Sequence, residues 1–230
     1  AHAAAYDRKR GVMVSFGEGQ TWEWNGAWTR MDSIGPLEVY DPTMAYDESR
    51  ETLVLFGSSY GSTDGKDWRL ISHTWEWDGE AWIERATEIP PAGDGLRMTY
   101  DAAHGVTVLF GGWNWYFPPF KDLWTWDGSR WRLVSVEGAA PSGGGALAYD
   151  RIRERVVLFG GNGTTDTWEW DGQDWELRST SGPPLRYGHS MAFDEQRGVV
   201  VLYGGGSADP PYMSLADTWE WDGTTWSKRL

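Results

Sequence analysis

The sequence predicts an all-β chain, a β-propeller of five four-stranded antiparallel blades. Three observations carry that prediction. Five tandem units recur at a period of roughly 50 residues, the length of one four-stranded blade. Each unit pairs an apolar, β-branched run such as Val199–Tyr203 with a tryptophan phrase such as "DTWEWDGQDW" (166–175). Helical spacing of apolar residues is absent throughout. One such unit cannot bury its own apolar faces, whereas radially stacked units cover one another.

The units open with "AHAAAYDRKRGVMVSFG" (1–17), "PTMAYDESRETLVLFG" (42–57), "LRMTYDAAHGVTVLFGG" (96–112), "GALAYDRIRERVVLFGG" (145–161) and "HSMAFDEQRGVVVLYGG" (189–205). They divide a single domain, 1–230, into blades of about 1–34, 35–89, 90–138, 139–182 and 183–230. Strand A of each blade is short and carries small residues, for instance Ala3, Ala5, Ala148 and Ala192. Strand B is continuously apolar, as a strand covered on both faces must be. Strand C alternates, so Trp168 and Trp170 share one face and Glu169 takes the other. Asn-Gly or Asp-Gly then turns the chain tightly into strand D, which starts at a third tryptophan such as Trp175.

Fifteen of the 18 tryptophans fall at these three repeated positions. Repetition at equivalent places is what blade packing requires and what a single ligand site does not. Burying one indole removes roughly 150–250 Å² from water. That contributes on the order of 4–6 kcal/mol gross, an upper bound.

The units resemble kelch repeats, in which an apolar strand ends in Gly-Gly and leads to an aromatic strand and an outer strand that starts with Trp. The doublet stands at Gly111/Gly112, Gly160/Gly161 and Gly204/Gly205, and decays to "FGEG" and "FGSS" in the first two units. The resemblance covers nearly the whole chain. It implies a propeller whose loops and strand A starts point at partners; Arg97, Arg186, Tyr187 and His189 are the matching positions here. The copper chemistry of galactose oxidase, a propeller of this kind, does not carry over, because it needs a Tyr–Cys cross-link and this chain has no cysteine.

Comparison among units adds a charge pair. The A–B turn carries Arg10, Arg50, Arg153 and Arg197, but His104 in the third unit; strand C carries Glu23, Glu76, Glu169 and Glu220, but Thr125 in the third unit. Loss of both in one unit predicts a Glu–Arg contact within each remaining blade. Carboxylates repeated in four blades read as structural and not as catalytic acids.

Function on such a fold lives on irregular loops. Three B–C loops are long: "SSYGSTDGKDWRLISH" (58–73), "WNWYFPPFKDL" (113–123) and "GSADPPYMSLAD" (206–217). They hold the remaining tryptophans, Trp68, Trp113 and Trp115, together with Tyr60, Tyr116, Phe117, Phe120, Tyr212 and Met213. The "WNWYFPPF" stretch reads equally as a plug over a channel mouth or as a ligand surface. The expected function is a non-catalytic binding or scaffold propeller that presents the B–C and D–A loops to a protein or peptide. A glycan-binding lectin using the loop aromatics is the alternative, and a hydrolase or lyase at the channel mouth the third.

Composition narrows the field. A net charge of −14 disfavours nucleic acid and anionic membranes. No apolar run is long enough to cross a membrane as a helix. Without cysteine there is neither a disulfide nor a thiolate metal site. His2, His73, His104 and His189 show no ligand spacing, and no phosphate, dinucleotide or nucleophile-elbow motif occurs. No catalytic residue, metal or cofactor is expected. A monomer is expected, with assembly of blades across chains as the alternative; extracellular and cytoplasmic settings are both compatible. The chain reads as a mature product or an excised piece of a longer propeller.

Overall fold

Tyrosine, tryptophan and β-branched residues in alternating runs form strands and nothing else here. A computed structural model describes residues 2–33, 35–36, 39–61, 69–87, 89–113, 120–134, 139–210 and 212–229. Among them there is no helix. Five four-stranded antiparallel sheets are the blades of a five-bladed β-propeller. Blade 1 comprises β1 (His2–Asp7), β2 (Val12–Gly17), β3 (Gln20–Trp24) and β4 (Trp28–Met31). Blade 2 comprises β5 (Tyr40–Asp47), β6 (Thr52–Gly61), β7 (Arg69–Trp77) and β8 (Trp82–Thr87). Blade 3 comprises β9 (Asp94–Asp101), β10 (Val106–Trp113), β11 (Leu123–Trp126) and β12 (Trp131–Val134). Blade 4 comprises β13 (Ala146–Asp150), β14 (Arg155–Phe159), β15 (Thr167–Trp170) and β16 (Trp175–Ser179). The short β17 (Arg186–Tyr187) precedes blade 5, which comprises β18 (Ser190–Asp194), β19 (Val199–Tyr203), β21 (Thr218–Trp221) and β22 (Trp226–Arg229). Between β19 and β21 lies β20 (Gly206–Ser207), which pairs with β17.

The chain packs as two compact units: Ala1–Tyr100 with Gly105–Leu109 and Trp124–Leu133, and Asp101–His104 with Phe110–Leu123 and Val134–Leu230. Inside each unit, successive blades dock by contacts that repeat from seam to seam, save that Trp77 Nε1, in the place of Trp126 and Trp221, is buried without an acceptor. In the first unit, Trp82 Nε1 donates to Thr21 Oγ1 of the preceding blade at 2.8 Å, and Trp131 Nε1 to Thr74 Oγ1 at 2.7 Å. In the second, Trp226 Nε1 donates to Thr167 Oγ1 at 2.7 Å. These same indoles meet Phe16, Phe56 and Phe159 edge-on. The middle indoles Trp126 and Trp221 donate to Glu76 and Glu169 of the preceding blade, each at 2.9 Å. The phenols of Tyr46, Tyr100 and Tyr149 accept the backbone N–H of Lys9, Ser49 and Ala103 in the preceding A–B turn. Burial pushes the Tyr149 hydroxyl up to about 12, which keeps it a neutral acceptor.

Glycine in the C–D turn serves this docking as well as the turn. A Cβ on Gly223 would meet the Arg153 guanidinium of blade 4 at 2.2 Å, and one on Gly128 would meet that of Arg50 at 2.7 Å. The turn itself is longer than Asp-Gly alone suggests. Trp77 pairs with Trp82 and Trp170 with Trp175. Asp78 and Asp171 therefore open four-residue loops and accept two backbone N–H groups each.

The expected Glu–Arg pair forms in three blades: Arg10 to Glu23 at 2.5 Å, Arg50 to Glu76, and Arg197 to Glu220. Each arginine also grips the aspartate three residues before it. Blade 4 departs from the expectation. There Arg153 binds Asp150 and reaches the Asp222 carbonyl of the next blade, and Glu169 is served by Arg178 at 3.4 Å.

The indoles also require one correction. Trp77, Trp82, Trp126, Trp131, Trp168, Trp170, Trp175 and Trp221 are buried as expected, but Trp22, Trp24 and Trp28 of blade 1 face solvent. The physical reason is the direction of docking. Each blade lays its indoles on the blade before it in the chain, and the first unit places no blade before blade 1.

Candidate functional site

The Gly-Gly doublets set how loops leave strand B. Gly204 and Gly205 both adopt left-handed φ, 72° and 91°, so the chain turns sharply out of β19. A Cβ on Gly205 would lie 2.6 Å from the Tyr187 carbonyl, so only glycine lets the two loops close up. In blade 2, "FGSS" lacks the doublet and the strand does not stop. β6 runs on to Gly61 and pairs Ser58 with Ser72 and Gly61 with Arg69, so both ends of the expected 58–73 loop are strand.

In blade 5, β17 and β20 bring the D–A and B–C loops together. Arg186 is buried beneath them. Its two guanidinium nitrogens grip Asp217 at 2.7 and 3.1 Å, while Nε donates to the Pro184 carbonyl and Nη1 to that of Gly204. Arg186 holds the Asp217 carboxyl far below the usual carboxylate range, helped by the Trp219 indole at 2.8 Å. This bidentate pair fastens both loops to the blade. Above it, Ser207 N–H donates to the Met213 carbonyl at 2.9 Å and Leu215 N–H to that of Gly205 at 2.7 Å. The loop tip is thereby folded back. Tyr187 lies across Gly206, whose Cβ would strike the ring at 2.7 Å. The result is an open cleft of about 350 Å³ lined by Tyr187, Gly188, Gly205, Gly206, Tyr212, Met213 and Ser214. Tyr187 is 58% exposed and Tyr212 73%. His189 lies below, buried, its Nε2 donating to the Phe159 carbonyl at 3.3 Å.

The other expected site residues distribute as follows. Tyr60 is exposed and meets Tyr40 edge-on at 5.6 Å; Arg97 is half-exposed and 4.0 Å from Asp41. Adjacent residues, Tyr40 and Asp41, thus bring Tyr60 and Arg97 into one cluster of the first unit. In the second unit, Trp113 ends β10 half-buried, and Phe120 donates its N–H to Gly112 and accepts that of Gly143. Trp68, Trp115, Tyr116 and Phe117 lie outside the described residues.

One arrangement escaped sequence reasoning. Ser59, His73 and Glu84 form a hydrogen-bonded line across β6, β7 and β8. His73 Nδ1 is 2.5 Å from Glu84 Oε1, and Nε2 is 2.8 Å from Ser59 Oγ. Facing a carboxylate, Nδ1 carries the proton, so Nε2 accepts from the serine hydroxyl. This order matches that of a nucleophile, base and orienting acid. Ser59, however, stands within a β ladder opposite Ile71. Backbone N–H groups of that ladder point along the sheet plane, at right angles to Oγ. The trio ties the three strands together through its hydrogen bonds. Its only sequence signal is a strand register, which spacing motifs do not encode.

No protein-family model matches the sequence, and no curated protein matches it. Among solved structures the chain is similar to YjhT, with 12% identity and a TM-score of 0.68 over 97% of this chain and 78% of that one. It is also similar to Trypanosoma rangeli sialidase in complex with 2,3-difluorosialic acid, with 12% identity and a TM-score of 0.65. That match covers 99% of this chain and 46% of the sialidase, less than half its length. A protein of unknown function from Dyadobacter fermentans is similar over 100% of this chain and 81% of its own, with 13% identity and a TM-score of 0.63. At such identities the likeness is one of fold. The class is therefore the β-propellers, a fold that supports binding and scaffold roles in general.

Proposed function

We propose that the protein is a binding propeller and that the blade 5 cleft takes an apolar or aromatic anchor from a partner protein or peptide. One observation carries this reading: Tyr187, Tyr212 and Met213 stand exposed around a glycine-floored cleft that a buried Arg186–Asp217 pair holds rigid. Tyrosine beside methionine on a fixed scaffold suits partner recognition, because the rings offer large contact area at small entropic cost. The acidic chain favours partners with basic flanks around the anchor. Ser59 standing within a strand supports a binding role over a hydrolytic one. The repeat plan, with Gly-Gly closing strand B and an indole opening strand D, supports assigning the units to the kelch type.

Selection from a displayed peptide library, with a glycan array in parallel, tests the reading. Enrichment of peptides with an aromatic or aliphatic anchor is expected, and Tyr187→Ala with Tyr212→Ala should weaken them by roughly 30-fold or more. Glycans bound with no peptide enriched would replace this reading with a lectin. Peptide affinities unchanged by both substitutions would remove the cleft as the site.

A further inference from the structure

Beyond Phe56 the two long strands of blade 2 carry a polar face that packing does not use up. Side chains alternate along β6, so Phe56, Ser58 and Tyr60 share the face that turns to blade 3, where Phe56 meets Trp131. The loop that enters β9 lies on this face, since Ser72, paired with Ser58, donates its hydroxyl to the Pro90 carbonyl. Ser58 is 1% exposed, and its own hydroxyl has no partner among the described residues. Tyr40 pairs with Ser58 from β5, and its ring meets that of Tyr60 edge-on. Packing leaves both rings open, Tyr40 at 47% and Tyr60 at 56% exposure.

Carboxylates gather at the same place. The β5–β6 ladder slips after Tyr40, and Asp41 takes a left-handed φ of 42° and accepts the Gly95 N–H of β9. Next to Gly95 stands Asp94, half-buried, whose carboxylate makes no hydrogen bond and no ion pair with any described residue. Burial and the Asp41 charge both raise its pKa. Arg97 sits 4.0 Å from Asp41 and donates Nη1 to the Leu96 carbonyl. One carboxylate therefore stays uncompensated beside two open tyrosine rings.

A half-buried anion without a partner costs stability, whereas a tyrosine face attracts a cation. We infer that Asp94, Asp41, Tyr40 and Tyr60 form a site for an organic cation, the ammonium of a free alkylamine or of a lysine on a partner. The ammonium bonds the Asp94 carboxylate, and its alkyl stem lies along the rings. The site belongs to the first unit and does not rest on the reading of the blade 5 cleft.

Titration of the isotope-labelled full chain with n-butylammonium chloride, followed by NMR, tests this. The amide signals of Tyr60 and Gly95 should shift and saturate, and n-butanol or sodium chloride at the same ionic strength should leave them in place. Asp94→Asn should weaken the amine by roughly tenfold or more, and Tyr60→Leu by roughly threefold or more. Because Asp94 has no partner in the fold, Asp94→Asn should leave Tm unchanged or raise it. A blocked peptide, Gly-Gly-Lys-Gly-Gly, separates the two sources. Tighter binding than butylammonium assigns the site to a partner's lysine, and equal or weaker binding to a free amine. Absence of a saturable shift would overturn the inference. So would a shift that n-butanol reproduces, an affinity unchanged in both variants, or a fall in Tm on Asp94→Asn.

Discussion

Replacing Glu76 by alanine strikes the docking between blades 2 and 3 at its centre. The carboxylate is buried. Its Oε1 accepts from Arg50 and from Trp126 Nε1 at 2.9 Å, and its Oε2 from Arg85 Nε at 2.8 Å. Alanine leaves Trp126, wholly buried, with an unsatisfied N–H that costs about 1–3 kcal/mol. Loss of one partner of a buried ion pair costs about 3–5 kcal/mol. Here the lower end applies, because Arg50 keeps Asp47 and both arginines reach water. We expect about 3 kcal/mol, or roughly 6–12 °C in Tm for a chain of this size. Glu220→Ala provides the internal control. It loses Arg197 and Arg229, both more than half exposed, and no indole, so it should cost about 1 kcal/mol. Thermal and urea denaturation would measure both. A Glu220→Ala penalty as large as that of Glu76→Ala would refute the claim that the indole bond sets the difference.

Two further outcomes follow from the same contacts. Trp131→Phe should cost about 1–2 kcal/mol more than Trp175→Phe in urea denaturation, since Trp131 donates to a buried Thr74 whereas Trp175 Nε1 is buried without an acceptor; equal penalties would contradict this. Asp127 and Asp222 are held down to about 2 by the hydroxyls of Ser129 and Thr224 and by backbone N–H groups. Their folded values lie below the ordinary carboxylate value of about 3.9, so the stability they confer is whole above that value and is lost as pH falls towards 2. Urea midpoints between pH 5 and 2 should show that loss, and Asp127→Asn with Asp222→Asn should flatten it.

Blade number, strand order and the structural role of most indoles were legible because each repeats, and repetition at equivalent places has one physical explanation. What the indoles bond to was not legible, because the acceptors lie a whole blade away. Leu123 shows the connection only afterwards: blade 3 has leucine where other blades have threonine, and Trp175 lacks its acceptor. Three Glu–Arg pairs were readable from joint loss in one unit. The fourth was not, since Arg178 on strand D competes for Glu169. At the site, Tyr212 stood out among the loop aromatics, and Tyr187 only through the resemblance to kelch repeats. Arg186 was legible as an arginine of interest, but its burial depends on Asp217, 31 residues away. The solvent-facing indoles of blade 1 are identical in sequence to buried ones, so only the presence or absence of a neighbouring face separates them.

The central claim is that the tryptophan phrases hold each blade to the one before it. Oxidative footprinting of the dilute protein, read tryptophan by tryptophan by mass spectrometry, tests it most directly. Trp22, Trp24 and Trp28 should react rapidly, and Trp77, Trp126, Trp170 and Trp221, each at most 2% exposed, should be protected until the chain unfolds. Comparable reactivity across the two groups would contradict it.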